Sequence, residues 1–354
     1  MRQRPKVERT KQNIEQSRRK VGFPTRKASG QTATRNTFEE TQGVFCFLFW
    51  LYNITMTQKR IGILRGGVGR HYKASLIKGG DIISHILEKL SDKYKPIDIL
   101  IDKDYIWHCG GIPINPGDLV QKIDVAWNTT HPSFANILES LSIPHIGTGS
   151  FLGTLLGNRE MFKKHVRNIG IKMPRHIVLP VFQKDFDGPR ERYSIKKAKE
   201  IFEKFGSPWI VKSFTPDSNM GIHLAQTFPE LVQAIEDGVN HEESIVIEEF
   251  ISGSPVTTHS VVDFRGEDVY VLPPENLSVE EKEKIISSTR NLHKHLNAKH
   301  YLKMDYVLHP KRGVFLSNIE FIPDLRPGSH LEKSCESIGT RMHDVVEHIL
   351  ERAL

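Results

Sequence analysis

Two runs near the C-terminus carry residues that could hold a metal ion beside a phosphate. Asp305 lies in one apolar run, and Asn318 and Glu320 lie in a second run after a short turn. Residues i and i+2 of a strand share a face, so Asn318 and Glu320 point the same way, and an antiparallel partner can bring Asp305 beside them. Carboxylate and amide oxygens suit Mg²⁺, which also takes oxygens from phosphate. The pattern predicts a magnesium site on a hairpin of residues 302–308 and 313–321.

Other charged residues stand where they could contact a nucleotide. Lys303 shares the face of the predicted metal ligands, and Lys212 ends a short apolar strand before a flexible loop. A lysine in either place can direct a positive charge at a phosphate. A buried strand over residues 245–250 runs into Glu248 and Glu249. Backbone groups at such a strand end can bind an adenine, and a carboxylate can accept hydrogen bonds from its amino group or from ribose hydroxyls.

The elements that must position these residues divide into two patterns. Strands at 60–64, 97–101 and 124–127 alternate with helical segments, which predicts a parallel sheet. From about residue 151 onward, helices and antiparallel strand pairs are mixed without that alternation. Residues 153–180 are predicted to be mostly helical. The fold class is therefore α/β in the N-terminal part and α+β in the rest.

Composition excludes several classes of protein. The chain has 354 residues, of which 38% are hydrophobic and 26% are charged, values typical of a soluble globular protein. Its three cysteines lie far apart and form no CxxC pair. This argues against a disulfide scaffold and against a cysteine-built zinc site, and it predicts a reducing, cytoplasmic location.

The net charge of +7 lies in the leader, residues 1–55, which hold eleven Lys or Arg and four Asp or Glu. The remaining residues are neutral overall, so we expect no nucleic-acid partner. An apolar run at 44–51 is far shorter than the roughly 20 residues of a membrane helix, so we expect no membrane partner. The leader is predicted to be disordered, and Met56 is the expected initiator.

Four segments together resemble a known family. They are IPHIGTG at 143–149, IVK at 210–212, IVIEEFISG at 245–253, and the predicted C-terminal hairpin. In this order they are similar to the D-alanine–D-alanine ligase family, which has the ATP-grasp fold. The resemblance extends over nearly all of residues 57–354. It implies an N-terminal substrate domain at 56–150, a central ATP-grasp subdomain at 151–243 and a C-terminal catalytic subdomain at 244–354.

The resemblance also implies a reaction. In that family ATP phosphorylates the carboxylate of one D-alanine, and the amine of a second attacks the acyl phosphate. Catalysis then depends mainly on positioning and charge neutralisation. The implied cofactors are ATP and Mg²⁺, the implied partners are small amino acids, the implied process is synthesis of peptidoglycan precursors, and a homodimer is compatible with it.

Fourteen positions acquire roles from the resemblance and from the reasoning above. The expected nucleotide-binding residues are Lys212, Glu248, Glu249, Phe250 and Ile251; the metal ligands are Asp305, Asn318 and Glu320; the catalytic residues are Lys303, Ser218 and Ser329; and Gly66, Gly67 and Ser75 bind substrate.

Several departures from the family pattern leave alternatives open. His71 aligns with a glutamate that holds the first substrate's ammonium, Lys303 replaces an arginine, and the Glu-x-Asn pattern is reversed in Asn318 and Glu320. The loop that closes over the site is reduced to a few residues near 272–277. A diverged ligase with another substrate, or a nucleotide-binding protein without ligase activity, are the two alternatives.

Overall fold

The computed structural model describes residues 58–67, 72–157, 159–182, 186–214 and 220–354, which contain three β-sheets. The predicted leader, Met56, His71 and Ser218 lie outside the described residues. Within them, no helix is long and apolar enough to cross a membrane.

The first sheet has six strands in the order β4–β3–β2–β1–β5–β6. Its strands are β1 Lys59–Gly66, β2 Tyr94–Ile101, β3 Trp107–Cys109, β4 Ile112–Ile114, β5 Val125–Asn128 and β6 His145–Ile146. Strand β1 pairs in parallel with β2 and β5, and β5 pairs in parallel with β6, as the alternating pattern predicts. The antiparallel edge strands β3 and β4 were not predicted.

Helices connect and cover this sheet. They are α1 Tyr72–Lys89, α2 Leu119–Lys122 and α3 Ala135–Ser140, with 3₁₀ turns at Pro116–Asp118 and Pro132–Phe134. Ile82 and Ile86 of α1 are fully buried against Ile61 and Ile63 of β1. Apolar residues four apart on a helix share a face, which is why α1 packs this way.

The second sheet is antiparallel, in the order β7–β10–β8–β9. Its strands are β7 His176–Leu179, β8 Trp209–Ser213, β9 His223–Ala225 and β10 Ile245–Glu249, and its helices are α6 Arg190–Lys204 and α7 Phe228–Asn240. Two helices, α4 Ser150–Gly157 and α5 Arg159–Asn168, precede it. The prediction that residues 153–180 are mostly helical is wrong for β7, which lies between Pro174 and Pro180, where the chain favours an extended conformation.

The third sheet is antiparallel, in the order β12–β11–β13–β14. Its strands are β11 Ser254–Phe264, β12 Glu267–Leu272, β13 Tyr301–His309 and β14 Gly313–Glu320, and its helices are α8 Val279–His295, α9 His330–Ser337 and α10 Met342–Ala353. The predicted C-terminal hairpin is confirmed as β13 and β14. Strand β10, predicted to open the C-terminal subdomain, instead pairs with β7 and β8 of the second sheet. The subdomain boundaries themselves stay a prediction.

The two faces of the third sheet have different surroundings. On one face Leu302, Met304 and Leu316 pack with Ile285 and Leu292 of α8. On the other face the apolar cluster that holds Tyr301 also holds Leu331 and Cys335 of α9. Farther along β13 on this second face, Lys303 and Asp305 are only half-buried. The candidate site lies on this more open part.

Candidate active site

The predicted metal ligands share one face of the third sheet. The register places Asp305 opposite Asn318 and Lys303 opposite Glu320, across β13 and β14. Thr257 of β11 is opposite Asp305 on the other side. Because side chains alternate between the faces of a strand, these five residues form a single polar group. The sequence-based grouping of the four residues on β13 and β14 is therefore confirmed.

Asp305 is held from two sides. The Thr257 hydroxyl donates to Oδ1 at 2.7 Å, and the Lys303 ammonium is 3.4 Å from Oδ2. The Asn318 amide lies between the carboxylates, with Nδ2 3.4 Å from Asp305 Oδ2 and 3.5 Å from Glu320 Oε1. The orientation of an asparagine amide is assigned from such contacts, and rotation about its terminal bond would present the oxygen instead.

Glu320 contacts two lysines. Its Oε1 is 3.1 Å from the Lys303 ammonium, and its Oε2 is 2.9 Å from the ammonium of Lys78 on α1. Burial alone would raise the pKa of the Glu320 carboxyl, but the two ammonium groups lower it below its ordinary value. The carboxylate is therefore charged at neutral pH, and it links α1 to the β13–β14 hairpin.

The donor set fits one hard divalent cation. Asp305, Asn318 and Glu320 together present two carboxylates and one amide to the same space. Among the residues that the structure describes, no cluster of three or more His, Cys, Asp or Glu side chains could hold a metal, so the amide oxygen has to complete the set. Carboxylate and amide oxygens suit Mg²⁺, whose other positions are taken by water and phosphate. An arriving ion has to compete with Lys303 and Lys78 for the carboxylate oxygens.

The predicted nucleotide lysine is paired with the predicted hinge acid. Lys212 of β8 lies 2.6 Å from Glu248 of β10, and the Glu248 side chain is buried whereas that of Lys212 is one-third exposed. The pairing of β8 with β10 brings these residues together from positions 36 apart in sequence. The sequence did not predict this contact, and the role of both residues toward a nucleotide stays a prediction.

The Glu249 side chain faces a clamp of two arginines. Its carboxylate accepts from Arg175 Nε at 2.9 Å and Nη2 at 3.1 Å, and from Arg312 Nη1 at 2.7 Å. Burial acts to raise the pKa of this carboxyl, but the arginine hydrogen bonds outweigh burial and lower the pKa to about 2. The side chain thus ties β10 to the residue before β7 and to the β13–β14 turn, so any contact with a nucleotide has to come from its backbone.

Phe250 and Ile251 follow directly after β10. The Phe250 amide donates to the carbonyl of Pro208, and the Ile251 side chain is buried. Their backbone carbonyls and the Ile251 amide are the groups that could meet an adenine.

Comparison with known proteins agrees with this geometry. The family model described as the C-terminus of D-ala D-ala ligase matches residues 166–272. A D-alanine–D-alanine ligase of Fervidobacterium nodosum is 24% identical over 334 residues, covering 83% of this chain and 98% of the relative. One from Bacillus anthracis is 23% identical, covering 83% and 97%.

Two solved structures show the same fold. The Bacillus anthracis D-alanine–D-alanine ligase complexed with ATP matches with a TM-score of 0.63 and 22% identity, over 83% of this chain and 96% of that one. The VanG D-Ala:D-Ser ligase of Enterococcus faecalis matches with a TM-score of 0.66 and 17% identity, over 84% and 100%. The predicted ATP-grasp fold class is confirmed.

The chain resembles the D-alanine–D-alanine ligases over 83% of its length and has their fold. The resemblance inferred from the four sequence segments is thereby confirmed. The chain is thus similar to enzymes, and its own reaction is treated below.

Gly66, Gly67 and Ser75, which the family resemblance assigned to the substrate, stabilise the fold of this chain. Gly66 and Gly67 end β1 with φ of 85° and 90°, where a side chain would be strained. A Cβ on Gly66 would collide with the carbonyl oxygen of Ile101. Ser75 is 2% exposed, and its hydroxyl accepts a hydrogen bond from the Gly66 amide at 3.0 Å. These residues fix the backbone at the end of β1; direct substrate contact stays a prediction.

Ser329 is also engaged by the fold. It is buried and caps α9, with its hydroxyl accepting from the Glu332 amide at 3.2 Å. Its Oγ lies 3.8 Å from the sulfur of Met342. A serine at an N-cap satisfies a backbone donor that the helix leaves unpaired. This hydroxyl is therefore engaged by the fold, and its contact with a substrate stays a prediction.

The expected reduction of the closing loop is observed. Strand β12 ends at Leu272, and α8 begins at Val279 behind its N-cap Ser278. Ser278 and Glu281 form a reciprocal capping box, which fixes the start of α8. Six residues therefore make the whole connection, with no room for a long lid.

Sequence reasoning missed Lys78 and a pair of histidines. Lys78 lies 242 residues before Glu320, and nothing in the local sequence distinguishes it from a solvated helix lysine. His259 lies two residues after Thr257 on β11 and is opposite Lys303. It is therefore on the same face of the sheet as Thr257, Lys303 and Asp305. Because residues two apart on a strand share a face, the sequence could have placed His259 at the site once β11 was paired with β13. His330 follows Ser329 directly.

Proposed function

We propose that the chain is an ATP- and Mg²⁺-dependent carboxylate–amine ligase that joins two small amino acids of the D-alanine type. The observation that carries the proposal is the register of β11, β13 and β14. That register puts Lys303, Asp305, Asn318 and Glu320 on one open face. Such a group combines oxygen ligands for a divalent ion with a cation for phosphate oxygens.

In the first step a carboxylate oxygen of the donor amino acid attacks the γ-phosphorus of ATP, and ADP leaves. Lys212 and Lys303 neutralise phosphate oxygens as charge moves to the leaving group. Asp305, Asn318 and Glu320 would hold Mg²⁺, which supplies further neutralisation of phosphate charge when bound. The product of this step is an acyl phosphate.

In the second step the amine of the acceptor attacks the acyl carbon. The C–N bond forms, the C–O bond to phosphate breaks, and inorganic phosphate leaves with the charge that Lys303 is placed to balance. The amine loses a proton to solvent or to a basic group. Holding both reactants on one face makes this step effectively intramolecular, which is the main source of acceleration in such reactions.

The proposal includes the finer points that the family resemblance implies. The substrates are small amino acids, the reaction serves peptidoglycan precursor synthesis in the cytoplasm, and a homodimer is the proposed assembly. D-alanine and D-serine are both candidate acceptors, because proteins named for each of them resemble this chain.

The test is phosphate release by the full chain with ATP, Mg²⁺ and a panel of D-alanine, D-serine and glycine. We expect release that requires an amino acid, with a dipeptide detected by mass spectrometry. Asp305→Asn should reduce the rate by about 100-fold or more, whereas Asp268→Asn, at an exposed aspartate on β12 of the same sheet, should not. Phosphate release that never depends on an amino acid would refute the ligase and favour a nucleotide-binding protein.

A further inference from the structure

A buried chain of hydrogen bonds ends beside the candidate site. The Tyr301 hydroxyl is 2.7 Å from Nδ1 of His259, and Nε2 of His259 is 3.1 Å from Nδ1 of His330. His259 is 1% exposed and Tyr301 is 2% exposed. His330, at the start of α9, is exposed to solvent. These hydrogen bonds therefore connect the buried Tyr301 hydroxyl to the accessible imidazole of His330.

The directions of these hydrogen bonds follow from Tyr301. Burial raises the pKa of its hydroxyl well above the ordinary value, so the group keeps its proton at all relevant pH values. In the described part of the chain its only hydrogen-bond partner is Nδ1 of His259, so the hydroxyl donates and Nδ1 accepts. A neutral imidazole has one N–H, which His259 then carries on Nε2 and donates to His330.

The tautomer of His330 is fixed in the same way. Its Nδ1 accepts from His259 and can also accept from the Ser334 hydroxyl at 3.2 Å. Its own proton is therefore on Nε2, which makes no hydrogen bond to any described residue. Protonation of Nδ1 would set two N–H groups against each other, which favours the neutral imidazole and agrees with the pKa of His330, which burial lowers.

The surroundings of His330 are those of the site. Burial lowers the pKa of His330; Asp305 and Glu275 act to raise it, and Lys303 and Lys333 to lower it. Burial likewise lowers the pKa of the adjoining His259 to about 3, so His259 brings no charge. The exposed imidazole is thus within electrostatic range of both Lys303 and Asp305.

His330 could also supply the substrate contact that was expected of Ser329. The Ser329 hydroxyl, expected at the substrate, is engaged in capping α9. The next residue, His330, offers an Nε2–H that makes no hydrogen bond to any residue the structure describes. An amino acid that accepts an acyl group keeps its own carboxylate throughout, and a carboxylate needs hydrogen-bond donors.

We propose that Nε2–H of His330 donates a hydrogen bond to the carboxylate of the acceptor amino acid, with Tyr301 and His259 as positioning residues that hold its tautomer. This inference rests on the proposed function, because it names the contact that fixes the second substrate. A neutral donor orients the carboxylate without transferring a proton to it, and Lys303 nearby supplies the positive charge.

The first test reads the tautomer without any reaction. In the full chain labelled with ¹⁵N-histidine, two-bond ¹H–¹⁵N correlation spectra at pH 7.5 should show His330 with its proton on Nε2. Tyr301→Phe removes the hydroxyl proton that sets the direction and should produce a mixture of tautomers at His330. A proton on Nδ1 of His330 in the unaltered chain would overturn the proposal.

The second test measures binding separately from turnover. D-alanine and D-serine are titrated calorimetrically into the full chain with a non-hydrolysable ATP analogue and Mg²⁺. His330→Leu should weaken amino-acid binding by about 10- to 100-fold, the loss expected for one hydrogen bond to a charged group, and leave analogue binding unchanged. The matched control is His295→Leu, which removes an exposed histidine near the end of α8.

The outcomes separate the two proposals. If the unaltered chain binds an amino acid and His330→Leu does not, the inference is supported. Absence of a dipeptide in the same experiment would refute only the ligase. Equal binding by His330→Leu and the unaltered chain overturns the inference even where the ligase is active. Failure of the unaltered chain to bind either amino acid overturns it as well.

Discussion

The arginine clamp on Glu249 gives a stability that should depend on pH in a defined way. Its carboxylate accepts three hydrogen bonds from the side chains of Arg175 and Arg312, and the Glu249 side chain is only 8% exposed. Glu249→Gln keeps the size of the side chain but removes the charge. The amide nitrogen that replaces one oxygen is a donor and would face donors of the guanidinium groups.

The magnitude follows from the pKa of Glu249. A carboxyl whose pKa falls from 4.5 in the unfolded chain to about 2 on folding contributes at most about 3 kcal/mol to the free energy of unfolding. The Arg175 and Arg312 side chains are 56% and 43% exposed, so solvent screening reduces this. We expect about 1–2 kcal/mol at neutral pH.

The pH dependence has a definite sign. Because folding lowers the pKa, the contribution is fully present above pH 4.5, and it is lost as the pH falls toward 2. Urea unfolding of the two proteins at several pH values between 7 and 3, followed by circular dichroism, gives the difference in free energy. That difference should be constant from pH 7 to about 5 and shrink below that.

A matched control is available in Glu267→Gln, which removes one partner of the exposed ion pair with Arg290. It should cost no more than about 0.5 kcal/mol at any of these pH values. A Glu249→Gln penalty as small as that of the control, or one that grows as the pH falls, would refute the reasoning. Unchanged affinity of Glu249→Gln for a nucleotide would agree with a side chain that holds the fold together.

Three further changes have expected outcomes. Lys212→Met should weaken binding of an ATP analogue by about tenfold in calorimetric titration, since a charge that meets phosphate is lost, and an unchanged affinity would remove Lys212 from the site. Lys78→Met should tighten Mn²⁺ binding by roughly two- to fivefold, because an ion-pair competitor for Glu320 is gone; electron paramagnetic resonance of free Mn²⁺ measures this, and weaker binding would contradict it. Gly66→Ala should lower the free energy of unfolding by about 2–3 kcal/mol in urea, whereas Gly80→Ala on α1, with open space around it, should not lower it.

The β13–β14 hairpin could be predicted because it follows from local sequence patterns. The period of two along a strand places Asn318 and Glu320 on one face, and a short turn forces the antiparallel pairing that adds Asp305. The parallel sheet was predictable for a similar reason, since buried strands alternate with helical segments. Strand β7 was missed because four residues between prolines carry too short a pattern.

The rest of the site depends on contacts between distant segments. The ion pair of Lys78 with Glu320 requires α1 to lie against the β13–β14 hairpin. No periodic pattern in the sequence predicts that packing. The His259–His330 contact requires α9 to pack on the face of β11. Resemblance to a family assigned Ser75 and Ser329 to the substrate, but it did not reveal that the fold uses both hydroxyls internally.

The six-residue connection between β12 and α8 has a consequence for energy use. An acyl phosphate is prone to hydrolysis, and in a ligase a closed lid normally keeps water from it until the amine attacks. In the proposed reaction, with only residues 273–278 at that position, water and amine would compete for the same acyl carbon. We therefore expect more than one ATP to be consumed for each amide bond formed at low acceptor concentration. That ratio should fall toward one as the acceptor is raised to saturation.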